Sequence, residues 1–293
     1  MAQSPAHRFG QIIGDVLEVA IEPLLVEFAK QHKLFLDKKG PRPARRGTKV
    51  TWSDLNGNKH DLDYVLERDG SLTEIGTPVA FIETAWRRYT KHSRNKAQEI
   101  QGAILPLRAT YSEVGPFIGA VLAGVFTDGA LTQLRSLGFT VLYFPYEAVI
   151  AAFRTVGIDA AFGETTPDAE FAEKVRAWEA LSSGDRSSVG QALLSSQGPS
   201  VQSFMESLQR AVTRRIESIR ILALHGRVCE WQSIQDAIRF VEEYEDPDEI
   251  PPLVRYEITI HYESGDDISG KFVDKAGALE FLRSYQTSAP AVL

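Results

Sequence analysis

The 293-residue chain holds a single cysteine, Cys229, so no disulfide forms within it, and its six histidines are scattered without the Cys/His spacing of a zinc site. No apolar run reaches the roughly 18 to 20 residues that a membrane helix needs. The opening "MAQSPAHRFGQ" lacks the charged, apolar and small-residue regions of a secretory signal. These absences predict a cytoplasmic protein with no membrane partner. Apolar residues are not scarce: at 43% they suffice for a full core, and the length suggests one large domain plus a smaller one. A net charge of -7 would argue against a nucleic-acid partner, but the charges are segregated. From Arg87 to Lys96 there are five Lys/Arg and no acid, "KKGPRPARRGTK" is likewise free of acids, and "EEYEDPDE" near residue 245 carries six acids and no base. Local basic patches survive an acidic total.

Periodicity organises the rest. "FGQIIGDVLEVAIEPLLVEFAKQHKLFL" repeats apolar residues at three- and four-residue spacings and predicts an amphipathic helix, which Pro23 is expected to kink or split. After a Pro/Gly/Arg loop, "TKVTWSDLNGNKHDLDYVLERDG" reads as two strands joined at "NGN", a hairpin signal, and "PVAFIETAW" as a third strand. Helix and strand then alternate from "NKAQEIQGAILPL" to "EAVIAAFRTVG", giving the order αβββαβαβα for a domain spanning 1–157. Residues 158–215 read as a helical connecting region. Residues 216–293 contain a repeat: Trp231, Ala237, Phe240 and Tyr244 match Phe272, Ala278, Phe281 and Tyr285 at a constant offset of 41. Two ββα units are therefore expected to pair as one four-stranded sheet with two helices on a face, because neither buries its apolar side alone.

Candidate chemistry gathers in "DYVLERDGSLTEIGTPVAFIETAW". If "DYVLE" and "VAFIE" are neighbouring strands, Asp63 and Glu83 approach one another, and paired hard oxygen ligands suit Mg²⁺, which keeps waters for substrate and nucleophile. Asp61 competes for the first position, since alternate residues share one face of a strand. The segment resembles the PD-(D/E)xK nuclease superfamily, in which an acid opens one strand and an E-x-K motif sits in the next. The likeness covers about residues 10 to 156 and includes the αβββαβ order. It implies an α/β restriction-endonuclease-like core and a Mg²⁺-dependent DNA endonuclease (Mn²⁺ able to substitute), with Asp63 and Glu83 as catalytic metal ligands and a restriction enzyme as the nearest type. A repair or recombination nuclease and a silent DNA-binding scaffold of the same fold stay open. Ala85 departs from the motif where the family keeps a lysine; Lys91 and Lys96, on the helix that follows, are the candidate replacements.

Glu18, four residues before Glu22 on the first helix, is a candidate additional metal ligand of the kind some relatives carry. Arg87, Arg88 and Arg94 are expected to neutralise the phosphates of double-stranded DNA while Trp86 and Tyr89 pack on sugars or bases. Arg42, Arg45 and Arg46 would add contacts from a flexible arm. Cutting both strands of a duplex further suggests a two-fold homodimer, with the C-terminal repeat serving dimerisation or target contacts.

Overall fold

The computed structural model describes residues 4–214, 216–223, 227–245, 255–263, 265 and 267–286, leaving the second half of the acidic "EEYEDPDE" stretch outside. The first elements are α1 (Pro5–Gln31), β1 (Leu34–Lys38), β2 (Val50–Ser53), β3 (Lys59–Leu62), β4 (Tyr64–Arg68), β5 (Thr77–Arg87), α2 (Thr90–Thr110), β6 (Phe117–Gly124), α3 (Asp128–Ser136), β7 (Thr140–Pro145) and α4 (Tyr146–Arg154). They continue with α5 (Asp168–Glu179), α6 (Ser183–Ser196), α7 (Gly198–Val212), β8 (Ile216–Ala223), β9 (Arg227–Trp231), α8 (Ile234–Glu243), β10 (Tyr256–Tyr262), β11 (Asp267–Phe272) and α9 (Lys275–Ser284). The result is a mixed α/β chain of two compact units, one formed by residues 1–110 and 116–208, the other by 111–115 and 209–293. Among the described residues no helix is long and apolar enough to cross a membrane.

In the first unit a five-stranded sheet runs β1-β4-β5-β6-β7, antiparallel through β1, β4 and β5 and parallel from β5 to β7. β6 is buried at every position, as its unbroken apolar run requires, because parallel strands in such sheets are covered on both faces. α1 begins cleanly: Pro5 stands in its first turn, and the Ser4 hydroxyl accepts the His7 N–H at 3.3 Å. It runs through Pro23 as one helix and buries Phe9, Ile13, Leu17, Ile21 and Leu25.

Three expectations are corrected here. The chain just after α1 leaves the helix and forms β1, which pairs with β4 from Leu34↔Arg68 to Lys38↔Tyr64. The hairpin at "NGN" exists as β2–β3, but its second strand stops at Leu62 and the separate strand β4 starts at Tyr64. Asp63 is thus the junction between a two-stranded ribbon and the main sheet, and Asp61 and Asp63 do not share one strand. Lastly, the stretch expected as a connecting region packs into the first unit: α5 and α6 lie on α1. Phe9 meets Phe153, Phe162 and Phe171 at ring separations of 5.9, 6.0 and 6.3 Å.

The second unit is a four-stranded antiparallel sheet, β11-β10-β8-β9, with α8 and α9. The offset of 41 recurs in space. Trp231, Phe240 and Tyr244 form one aromatic chain (5.5 and 5.5 Å), and Phe272, Phe281 and Tyr285 form its counterpart (5.0 and 5.2 Å). The central strands pair Ile219↔Ile260, Arg220↔Thr259 and Ile221↔Ile258. Since Ile219 pairs with Trp231 and Tyr256 with Phe272, Ile219 and Ile221 of the first repeat correspond to Tyr256 and Ile258 of the second, and a local two-fold axis passes through the Ile221–Ile258 pair.

Candidate active site

The β4–β5 ladder ends at Tyr64↔Ile82, so β5 continues past it with backbone groups that β4 no longer reaches. Asp63 takes over: its Oδ2 accepts the Thr84 N–H at 2.8 Å and the Thr84 hydroxyl at 2.7 Å. Two short bonds to one oxygen fix the carboxylate's orientation and leave Oδ1 outside them. Thr84 was invisible as a functional residue in the sequence, where nothing distinguishes it from any strand threonine. Asp61 stays on the hairpin, with its oxygens 2.6 Å from Lys49 Nζ and 2.6 Å from the Thr51 hydroxyl.

Glu83, next to Thr84 on β5, is only 7% exposed. Burial, and then the charge of Asp63, push its carboxyl up to about 8, against the pull of Lys96. Lys96 reaches in from α2: its Nζ is 3.9 Å from Glu83 Oε2 and 3.6 Å from Glu99 Oε2. Glu18 faces the same group from α1, and burial together with Asp63 and Asp15 lifts it to about 6. Its helical neighbour Glu22 turns instead to Lys38. Ala85 is buried, so the lysine-free position of the motif lies inside the site. The Lys91 side chain lies outside the described residues.

A cleft of 380 Å³ opens here between α1, β5 and α2, lined among others by Gly10, Gly14, Glu18, Thr84, Ala85 and Lys96. A larger groove of 670 Å³ runs between a different stripe of α1, with Val16 and Val19, and Trp178 of α5; it includes none of the three acids, whereas Glu18 lines the first cleft.

Among the described residues no three His, Cys, Asp or Glu side chains close into a ready-made metal cage. What the site offers is two carboxylates from adjoining backbone, a third across the cleft, and burial together with mutual repulsion that raises two of them. That donor set fits Mg²⁺, which accepts one or two carboxylates and completes its shell with water and phosphate oxygens. Without such a cation the arrangement costs stability. A carboxyl whose folded pKa, about 8, exceeds the ordinary 4.5 binds its proton more tightly when folded. Its contribution is therefore complete at low pH and is lost progressively as pH rises from about 4.5 to about 8, a decline on the order of a few kcal/mol. Glu83→Gln is expected to remove that decline. In chelator, thermal unfolding at pH 5, 7 and 9 should show the variant gaining on the parent as pH rises, and parallel curves would contradict this.

The expected DNA contacts separate into two groups. Arg88 is turned inward: Nε and Nη2 donate to the Phe162 carbonyl at 2.9 and 2.6 Å, and the guanidinium lies 4.0 Å from the Tyr146 ring centroid. Arg45 is likewise committed, with Nε 3.1 Å from Asp37 Oδ2 and Nη2 donating to the Lys38 carbonyl at 2.8 Å. Arg42 is buried outright: it binds Glu67 through Nη1 at 2.5 Å and Nη2 at 2.9 Å, and Asp37 through Nη1 at 3.0 Å. Nη2 also donates to the carbonyls of Ser71 and Glu74, so this loop is tied down and is not a flexible arm. The reason is local: nearby carboxylates compete for these cations, and a charge pattern along the chain does not reveal them. Arg46 and Arg94 are exposed, and Arg87 lines the cleft with Nη2 3.9 Å from Glu99.

No family model matches this chain, and no curated protein does. A solved structure entitled "Crystal Structure of Protein of Unknown Function AF1548" is similar at 10% identity and a TM-score of 0.28, covering 67% of this chain and 95% of that one. A likeness that loose carries no argument about fold or function.

Proposed function

We propose that the chain is a Mg²⁺-dependent endodeoxyribonuclease of the PD-(D/E)xK type. One observation carries this reading: Asp63, Glu83 and Lys96 meet at the end of the β4–β5 ladder, with Lys96 Nζ 3.9 Å from Glu83 Oε2. Asp63 and Glu83 would hold Mg²⁺ or Mn²⁺, and Glu18 would complete the acidic wall. When bound, such an ion supplies Lewis-acid stabilisation of the phosphate and a water of lowered pKa. Asp63 is pre-oriented by Thr84. Lys96, fixed between Glu83 and Glu99, places a positive charge where the transition state gathers negative charge, the task the family's lysine performs from the position Ala85 holds here. Arg87 and Arg94 remain available for phosphate contacts, whereas Arg45 and Arg88 do not.

The direct test is incubation with closed circular duplex DNA and closed circular single-stranded DNA, in Mg²⁺ or Mn²⁺, with and without chelator. Chelator-sensitive linearisation is expected; no metal-dependent cleavage of either circle would overturn the reading. Lys96→Ala is expected to lower single-turnover cleavage roughly a hundredfold with DNA affinity nearly kept, because a charge used mainly in the transition state adds little to ground-state binding. A lysine that only positions phosphate would behave differently, losing affinity at least as much as rate. Ala85→Lys should not rescue the variant fully, since the new side chain enters a cleft that Lys96 already serves.

A further inference from the structure

We infer that the cleft beside the acids receives one unpaired nucleotide, so that the preferred substrate is a single strand or a locally opened duplex. The inference deepens the nuclease reading and rests on it for the chemistry.

Its basis is the shape of the slot and what its walls omit. On one side α1 presents Gly10 and Gly14, one turn apart. Glycine within a helix lowers its stability relative to alanine, so two on one stripe of an otherwise well-formed helix call for a reason. A Cβ on Gly14 would meet nothing within 4 Å, and one on Gly10 would meet only the indole nitrogen of Trp86, at 3.9 Å. Neither glycine is there to let protein pack closely; both leave space. On the other side β5 presents Ala85 and Trp86. The Trp86 ring is seated over Gly124, where a Cβ would come within 2.6 Å of it, so its position is fixed. The missing lysine thus becomes intelligible: a long side chain at position 85 would fill the space that the two glycines leave open.

The polar groups around the slot suit a nucleotide. His7 and Gln11 continue the α1 stripe toward one end, Arg87 borders it, and Lys96 and Glu18 lie toward the acids. A cleft of 380 Å³ is near the small end of the roughly 300–1,000 Å³ of small-ligand pockets. That volume is on the scale of one nucleotide rather than of two paired ones. A phosphate drawn toward Glu83, which precedes the lining residues Thr84 and Ala85 on β5, brings its neighbouring nucleotide between α1 and β5. In intact duplex that nucleotide must first unstack and unpair, at a penalty smallest for mismatched or single-stranded positions. A preference for single-stranded over duplex circles of roughly a hundredfold follows. This favours a repair or recombination nuclease over one that cuts intact duplex at a fixed sequence.

The test uses Gly14→Leu, which fills the slot while improving helix propensity, so loss of folding does not confuse the outcome. Gly102→Leu is the matched control: it is also helical, also has nothing within 4 Å of its added Cβ, and lies outside the cleft. Binding of a fluorescein-labelled thymidine 20-mer, alone and annealed to its complement, is read by fluorescence anisotropy in chelator, and cleavage of the two circles is read in Mg²⁺. Gly14→Leu is expected to weaken single-strand binding roughly tenfold or more and to keep or raise the melting temperature, while Gly102→Leu binds as the parent does. Equal cleavage of both circles by the parent, or unchanged strand binding by Gly14→Leu, would overturn the inference and leave the nuclease reading intact. Strand binding that Gly14→Leu abolishes, in a parent that cuts nothing, would support the slot and remove the nuclease reading instead.

Discussion

Asp63→Ala and Glu83→Ala are each expected to lower metal-dependent cleavage by roughly a thousandfold or more, the equivalent of several kcal/mol of transition-state stabilisation. The two substitutions should part company in stability. Asp63→Ala leaves the Thr84 N–H and hydroxyl without the acceptor they have at 2.8 and 2.7 Å, a loss of about 1–3 kcal/mol. Glu83→Ala removes a buried carboxyl held near pH 8 by burial and by Asp63, and so relieves an unfavourable group. A catalytic defect shared by a destabilised and a relieved variant is not explained by unfolding. Asp63→Asn sharpens the comparison: it keeps an oxygen for Thr84 and loses the charge, so it should fold as the parent does and still fail to cut. Cleavage at the parental rate by both alanine variants would show that these carboxylates are not the catalytic pair.

The second large effect lies away from the cleft. Arg42→Met is expected to destabilise the first unit by about 3–5 kcal/mol, because it strands Glu67 in the interior and leaves Asp37 to Arg45 alone. Arg42, Glu67 and Asp37 are 4%, 0% and 2% exposed, so water cannot replace the lost guanidinium. The geometry around them is closely fitted. Glu67 Oε2 also takes the Gly76 N–H at 2.7 Å, and a Cβ on Gly70 would come within 2.5 Å of that same oxygen. Adding Glu67→Met to Arg42→Met should restore part of the loss, as removing both partners of a buried pair is milder than removing one. Urea unfolding of the single and double variants measures both terms. A decrease below about 1 kcal/mol for Arg42→Met would mean that the buried network contributes little.

What could be read in advance follows from the range of the forces involved. α1, the β2–β3 turn and the two C-terminal repeats rest on local periodicity and turn chemistry, which a linear sequence displays. β1 was lost to the preceding helix because "KLFL" extends its apolar period, and only pairing with β4 makes it a strand. The run from Lys59 to Arg68 looked continuous because its apolar alternation does not falter at Asp63; the interruption comes from Thr84, twenty-one positions on. The acid pair and Lys96 were visible as candidates because a motif and its gap at Ala85 drew attention to them. The glycines at 10 and 14 carry a fainter signal, two interruptions on one stripe of a good helix. The ion pairs of Arg42 and Arg45 are hidden for the opposite reason: a basic segment announces its charge but not that Asp37 and Glu67 already answer it.

The two-fold register at Ile221–Ile258 bears on how copies of this chain could associate. A ββα unit whose first strand pairs with the same strand of its twin is, in geometry, a self-complementary half, and two such halves on separate chains would form a dimer. Here both halves belong to one polypeptide, so each has its mate permanently at hand, at a local concentration that no second molecule can match. The unit's valence for itself is filled, and among the described strands the outer ones, β9 and β11, keep an unpaired edge within the sheet. Strand pairing between whole chains through this sheet would therefore run through β9 or β11, under rules different from those that built the repeat.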